Sequence, residues 1–259
     1  MKILKATAIG FFRHSNEMPT SKDMMAIYEL LLKTFDRLGL TPTYFSADDG
    51  TGRGGFKKFG GTFHKRVIAQ QTKGYRSVGL AANPEGSDAP GYDSHATASF
   101  VFGPEAEEVY LGFVVHEPYL ACGSSACDSI VAELATLWRW DYGFGFERDA
   151  ATMPAIYLVG GLSNLQSAED VRRGQLWHAC YQPSERRKRI RDVFQYNMIG
   201  REHLVRQLPD GRCVKEIIEA DLDSELHRLA DNLWLWKVNG DRTEALRQKL
   251  HGSGFVISE

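Results

Sequence analysis

The chain has 259 residues, 31 Lys and Arg against 33 Asp and Glu, and a net charge of −2. At 43% hydrophobic and 25% charged residues it has ordinary globular composition, with enough core to stand without disulfide or metal staples. The charge balance excludes both a globally basic nucleic-acid binder and a globally acidic DNA mimic. The four cysteines, Cys122, Cys127, Cys180 and Cys213, show no paired short spacing. That usage fits a reducing cytoplasm. Residues 1–5 lead into a short mixed run, not an apolar signal core, and nothing approaches the ~20 apolar residues of a membrane span.

In chain order, residues 3–12 predict a strand. Thr20-Ser21-Lys22-Asp23 is a capping box, and the helix it opens sets Met24, Ile27, Tyr28, Leu31, Leu32, Phe35 and Leu38 at helical spacing, with Gly39 as its stop. A short strand at 44–46 precedes the glycine-rich stretch 50–61, and a second helix is expected over 62–73, ending at Gly74. Strands are expected at 75–82, 94–102 and 109–116, separated by an exposed loop at 84–90. The last of these is nearly all apolar, as suits a strand buried on both faces.

Ser124 or Ser125 caps a helix that runs to about Trp138. Trp138, Trp140, Tyr142, Phe144 and Phe146 then recur every second residue. That period places at least 140–146 on one face of a sheet, with Gly143 and Gly145 opposite where something approaches closely. Residues 155–161 predict another strand, and 165–230 short helices and loops. The C-terminus predicts a strand at 232–238, a helix from Asp241 with Ala245, Leu246 and Leu250 inward, and a last strand at 255–257. The fold class is therefore α+β: a largely antiparallel sheet flanked by helices, with a C-terminal strand–helix–strand unit. It is taken as one domain over 1–259, with sublobes at about 1–150 and 151–259.

No motif carries chemistry. Gly50-Thr51-Gly52-Arg53-Gly54-Gly55 matches GxGxxG, but a dinucleotide loop must open onto a helix N-terminus. Here Phe56-Lys57-Lys58-Phe59-Gly60-Gly61 follows, so a flexible surface loop is expected. Cys122 and Cys127 lack zinc spacing and are expected as buried thiols near a helix start. Ser124 and Ser125 lack the nucleophile elbow. The histidines are scattered and form no metal pair. The basic run Arg186-Arg187-Lys188-Arg189 with Arg191, and the acidic residues Glu216, Glu219, Asp221, Asp223 and Glu225, are each expected to be a solvated face. The aromatic ladder and the Trp234/Trp236 pair are expected in the core.

One set of residues carries a resemblance: Trp177-His178, the segment 190–197 (IRDVFQYN), Glu202-His203-Leu204, the stretch from Leu226 to Trp236, then Leu246-Arg247 and Leu250, and the ending Gly254-Phe255-Val256-Ile257. The strand Tyr142-Gly143-Phe144-Gly145-Phe146 and Pro154-Ala155-Ile156-Tyr157 fit the same picture. Over about 130–257 the chain resembles the immunity protein 52 family of bacterial polymorphic-toxin and type VI secretion systems. The resemblance implies a cytoplasmic, non-enzymatic protein without cofactor or metal. It would bind a cognate toxin, a restriction-endonuclease-like nuclease such as a DNase, and block it with no direct nucleic-acid or membrane contact.

Such an interface leaves no periodic signature in the sequence. The candidate contacts are the charged loop residues Asp48, Asp49, Arg53, Lys57, Lys58, Glu85, Asp88 and Asp93. Two alternatives stay open: a hydrolase built on dispersed residues such as His116 and Glu117, and a nucleic-acid binder using the 186–191 run.

Overall fold

The computed structural model describes residues 4–15, 17–51, 55–91, 93–103, 108–180 and 183–257. The first half forms β1 (Lys5–His14), α1 (Ser21–Arg37), β2 (Tyr44–Asp48), β3 (Lys57–Lys58), α2 (Thr62–Ala69), β4 (Ser77–Ala82), β5 (Ala96–Gly103), β6 (Glu108–His116), α3 (Ser125–Thr136) and β7 (Tyr142–Asp149). The second adds α4 (Pro154–Leu158), α5 (Ala168–Ala179), α6 (Pro183–Arg186), β8 (Tyr196–Gly200), α7 (Arg201–Leu204), α8 (Val214–Glu219), β9 (Ser224–Ala230), β10 (Leu233–Val238) and α9 (Thr243–Leu250). The strands make one ten-stranded sheet in the order β3-β2-β4-β5-β6-β1-β7-β8-β10-β9. Every neighbouring pair is antiparallel. The α+β class is as the sequence predicts.

Each face of the sheet builds its own core. On the back, Ile9, Phe11, Phe45, Leu80, Phe100 and Phe113 meet Ile27, Leu31 and Phe35 of α1 and Ile130, Val131 and Leu134 of α3. On the front, Ala8, Phe12, Tyr142, Phe144, Phe146 and Trp236 meet Leu158 of α4, Trp177 of α5, Ile217 of α8 and Leu246 of α9. Helix α1 starts where the capping box predicts: Thr20 Oγ1 accepts the Asp23 N–H at 3.2 Å, and the Asp23 carboxylate accepts the Thr20 N–H at 2.8 Å.

Several local expectations are corrected. Helix α2 stops at Ala69 because Gln71 and Thr72 adopt left-handed backbone, with φ 49° and 56°. The segment 155–161 is not a strand. Pro154 opens α4 at its first position, where its fixed φ and missing N–H suit a helix start, and a short apolar run carries no period to say otherwise. Trp138 and Trp140 precede β7; Trp140 turns to the back face, 5.5 Å from Phe11, and its indole donates to the Leu134 carbonyl. The one-face ladder is therefore Tyr142, Phe144 and Phe146. The polar stretch 165–230 contains two strands, β8 and β9. Residues 255–257 contribute a single parallel bridge, Val256 to Ile190, outside the sheet.

Gly143 explains how β7 fits between its neighbours. A Cβ on its back face would lie 2.6 Å from the Gly10 carbonyl oxygen and 2.9 Å from Met198 Cε, whereas at Gly145 the nearest atoms lie at 3.3 Å. Gly143→Ala is expected to cost about 1–3 kcal/mol, since the blocking backbone oxygen belongs to the β1 ladder. Urea unfolding of both alanine variants checks this: Gly143→Ala must lose clearly more than Gly145→Ala, and equal losses would contradict it.

Candidate functional site: an uncovered half of the sheet

The C-terminal helices cover the front face over β1, β7, β8 and β10, and α4 reaches β6, whose Tyr110 and Val114 pack against that core. Over β2, β4 and β5 the front face has no helix of its own, and most of its side chains are small. Cross-strand pairing sets them in three rows: Tyr44, Ala81, Thr97 and Val114; Ser46, Gly79, Ser99 and Gly112; and Asp48, Ser77, Val101 and Tyr110. Paired residues share a face, so these rows are the floor of a shallow trough. The three strands clear of α4, spaced ~4.8 Å apart, leave a floor about 10 Å wide, which accommodates one helix.

The walls come from three separate segments. A groove of about 270 Å³ is bounded by Phe56, by Pro90, Gly91 and Ser94, and by Met153–Ile156 at the start of α4, with His116 at its end. Phe56 leans over Gly79, its ring tip 3.5 Å from where a Cβ would stand. The 84–94 loop is held against the sheet: Tyr44 donates to the Ser87 carbonyl (3.0 Å), Asn83 Nδ2 to Ser87 Oγ (3.1 Å) and Ser94 Oγ to Asn83 Oδ1 (2.8 Å). Met153 has φ 55°, a left-handed conformation that costs a non-glycine residue about 1–3 kcal/mol. It turns the chain from β7 into α4 and so sets the second wall. Phe56 and Val101 remain exposed apolar side chains on this face.

The charged candidates surround this trough. Asp48 stands on its floor row beside Ser77; Lys58 pairs with Tyr44 on the edge strand β3, and Lys57 sits beside it facing the other way. Glu85, Asp88 and Asp93 are exposed on the 84–94 loop and Asp49 on the turn after β2. Asp48, Glu85, Asp88 and Asp93 have no ion pair among the described residues. Phe56 and the 84–94 loop, distant in sequence, line the same groove, whereas Asp48 stands at the opposite end of β2 from that loop. Arg53 lies outside the described residues.

Sequence reasoning missed the floor, although residues 96–102 (ATASFVF) alternate large or alanine side chains with Thr97, Ser99 and Val101, the mark of a strand with only one face in the core. It also missed Phe56 and the α4 wall, which no local pattern reports.

Other charged segments resolve differently from expectation. In the 186–191 run only Lys188 is exposed. Arg186 pairs with Glu108 and stacks 4.2 Å over Trp177. Arg191 is buried, donating to the Tyr157 and Leu158 carbonyls at 2.7 and 3.1 Å. The solvated-face reading is corrected, because aromatic rings and carbonyls take these guanidinium groups inward. The run therefore offers phosphates no continuous basic face. Asp221 is likewise buried, bonded to Ser224 and paired with Arg242, while Glu216, Glu219, Asp223 and Glu225 are exposed. No group of three metal-ligating side chains occurs among the described residues, and no helix among them is long and apolar enough to cross a membrane. His116 is buried at the groove end and is the one titratable residue among those lining it. Its neighbour Glu117 is not among them.

No family model matches the chain, and no curated protein matches it. Among solved structures, one described as "Pseudomonas aeruginosa T6SS protein PA0821" is similar in fold, with a TM-score of 0.58 at 10% sequence identity. The match covers 98% of this chain and 73% of that one.

Proposed function

We propose that this chain is a cytoplasmic immunity protein that binds and neutralises a cognate secreted bacterial toxin, a nuclease delivered by a type VI secretion system, without chemistry of its own. The observation that carries the reading is the part of the sheet's front face clear of helices: a shallow trough with Phe56 on its wall and Val101 on its floor exposed. An extended surface of that kind suits a protein partner better than a small substrate. Asp48 and Asp49 at one end of β2, Glu85, Asp88 and Asp93 on the 84–94 loop beyond its other end, and Lys57 and Lys58 on the edge strand carry the charges around the trough. An acidic surround complements the basic surface with which a nuclease holds phosphates. Support for the secretion system comes from the type VI name of the fold neighbour and from the immunity protein 52 resemblance over 130–257. Trp177, Asp192, Asn197, His203 and Trp236, which carry that resemblance, are all interior; they build the fold, and the partner is met elsewhere.

Co-expression with the product of the adjacent gene tests the proposal. The product alone should arrest growth, and this chain should restore it. A harmless product, or one that stays toxic with this protein confirmed present, would overturn the reading. A hydrolase centred on His116 has one observation in its favour, the position of that residue at the groove end. The two readings separate by stoichiometry: neutralisation should need at least one molecule of this chain per toxin, and neutralisation by a small fraction of that amount would favour the hydrolase.

A further inference from the structure

A second site lies at the other end of the strands from the groove, and no residue lines both. A cavity of about 780 Å³ opens between the end of β1, the segment 135–141 that leads from α3 to β7, and the β9–β10 turn. Three arginines line it, Arg13, Arg139 and Arg187, while Trp138 and Leu229 give it an apolar wall. Arg13 follows Phe12 along β1, so it points to the back face, where its guanidinium lies 5.5 Å over the Trp138 ring. Trp138 rests in turn on Phe100, with ring centroids 6.1 Å apart. Arg187 arrives from the segment after α6. Its Nε lies 3.3 Å from Asp141 Oδ2, and the same oxygen accepts the His14 N–H at 2.9 Å. One carboxylate thus fixes Arg187 beside the end of β1.

The charges in this cavity do not balance. Both of its carboxylates are engaged, Asp141 by Arg187 and Asp231 by Arg228 at 3.2 Å. Arg13 and Arg139 have no carboxylate partner among the described residues. Arg187 Nε and the buried indole N–H of Trp138 make no hydrogen bond among them either, although buried donors are ordinarily paired. Guanidinium forks present paired N–H donors that match the oxygens of a phosphate or carboxylate. The cavity also falls within the size of small-molecule sites, about 300–1,000 Å³.

We propose that this cavity binds a small organic oxyanion, its charged group held by Arg13, Arg139 and Arg187 and its apolar body lying against Trp138 and Leu229. Phosphates and carboxylates share that chemistry, and the choice of probe distinguishes them. Only one arginine of the 186–191 run takes part, so the site is a discrete pocket and not a nucleic-acid face. It is independent of the trough and of the toxin reading.

Isothermal titration calorimetry of the full chain tests this, with adenosine monophosphate and phthalate as the oxyanion probes and adenosine as the uncharged control. At least one oxyanion should bind at a single site with a Kd below about 1 mM, and adenosine should bind about tenfold more weakly or worse. Tighter binding of the nucleotide assigns a phosphate, and tighter binding of phthalate a carboxylate. Arg139→Gln, at an exposed position, should weaken binding by about tenfold or more at an unchanged melting temperature. Arg13→Lys, which keeps the charge and loses the fork, should weaken it as well. No binding of either oxyanion, equal binding of adenosine, or an affinity unchanged in either folded variant would each overturn the proposal.

Discussion

Asp192→Ala is expected to destabilise the protein by about 3–5 kcal/mol, the cost of leaving buried charge without its partner. The Asp192 side chain is 0% exposed and pairs with Arg173 at 3.0 Å and Arg247 at 2.6 Å. Its Oδ1 also accepts the Val193 N–H at 2.8 Å. One carboxylate therefore ties α5 and α9 to the segment that enters β8. Alanine leaves two guanidinium groups, themselves mostly buried, facing a void. A domain is stable by about 5–15 kcal/mol, so the variant should unfold roughly 10 °C earlier. Asp192→Asn, which keeps an acceptor for Val193, should lose less. Urea titration measures both, and a loss under about 1 kcal/mol for the alanine variant would show that the pair gains nothing from its burial.

Acid should weaken the fold through His203. This ring is fully buried; its Nδ1 accepts the Gly200 N–H at 3.1 Å and its Nε2–H donates to the Arg186 carbonyl at 2.9 Å. The neutral ring is thus satisfied on both sides, and protonation would set a new N–H against that of Gly200. Burial lowers its pKa from 6.5 to about 4. Above pH 6.5 the group is neutral folded and unfolded, and its full contribution is present. As pH falls towards 4 the unfolded chain takes up the proton first, so stability drops by about 3 kcal/mol. Unfolding free energies at pH 7.5 and 4.5 check this against His203→Gln, which lacks the titration. Equal pH dependence of the two proteins would refute it.

The parts legible in the sequence are those whose signal is local. The α1 capping box and stripe, the apolar β6 and the Tyr142-Phe144-Phe146 alternation each encode their own environment over a few residues. β9 is an edge strand with its polar residues in water, and only Leu226, Leu229 and Ala230 are apolar along it, too little for a period-two signal. Arg186 and Arg191 look solvated in sequence because their aromatic and carbonyl partners come from α4, α5 and β7. The trough is legible last of all. Its rows exist only once β2, β4, β5 and β6 are paired in register, and single strands give no hint that Ser46, Gly79, Ser99 and Gly112 align. The exposed 84–90 loop beside it is legible, because charge density and turn formers are local properties too.

The central claim, that the uncovered face is where the toxin docks, is tested most directly by the affinity of Thr97→Arg/Ser99→Arg for the purified toxin. Both positions are half-exposed on the trough floor, so the arginines extend into the groove without entering either core. The expected result is binding weakened by about 100-fold or more, equivalent to about 3 kcal/mol, with an unchanged melting temperature. An affinity within twofold of the wild type, in an equally stable variant, would contradict the claim and place the interface elsewhere on the molecule.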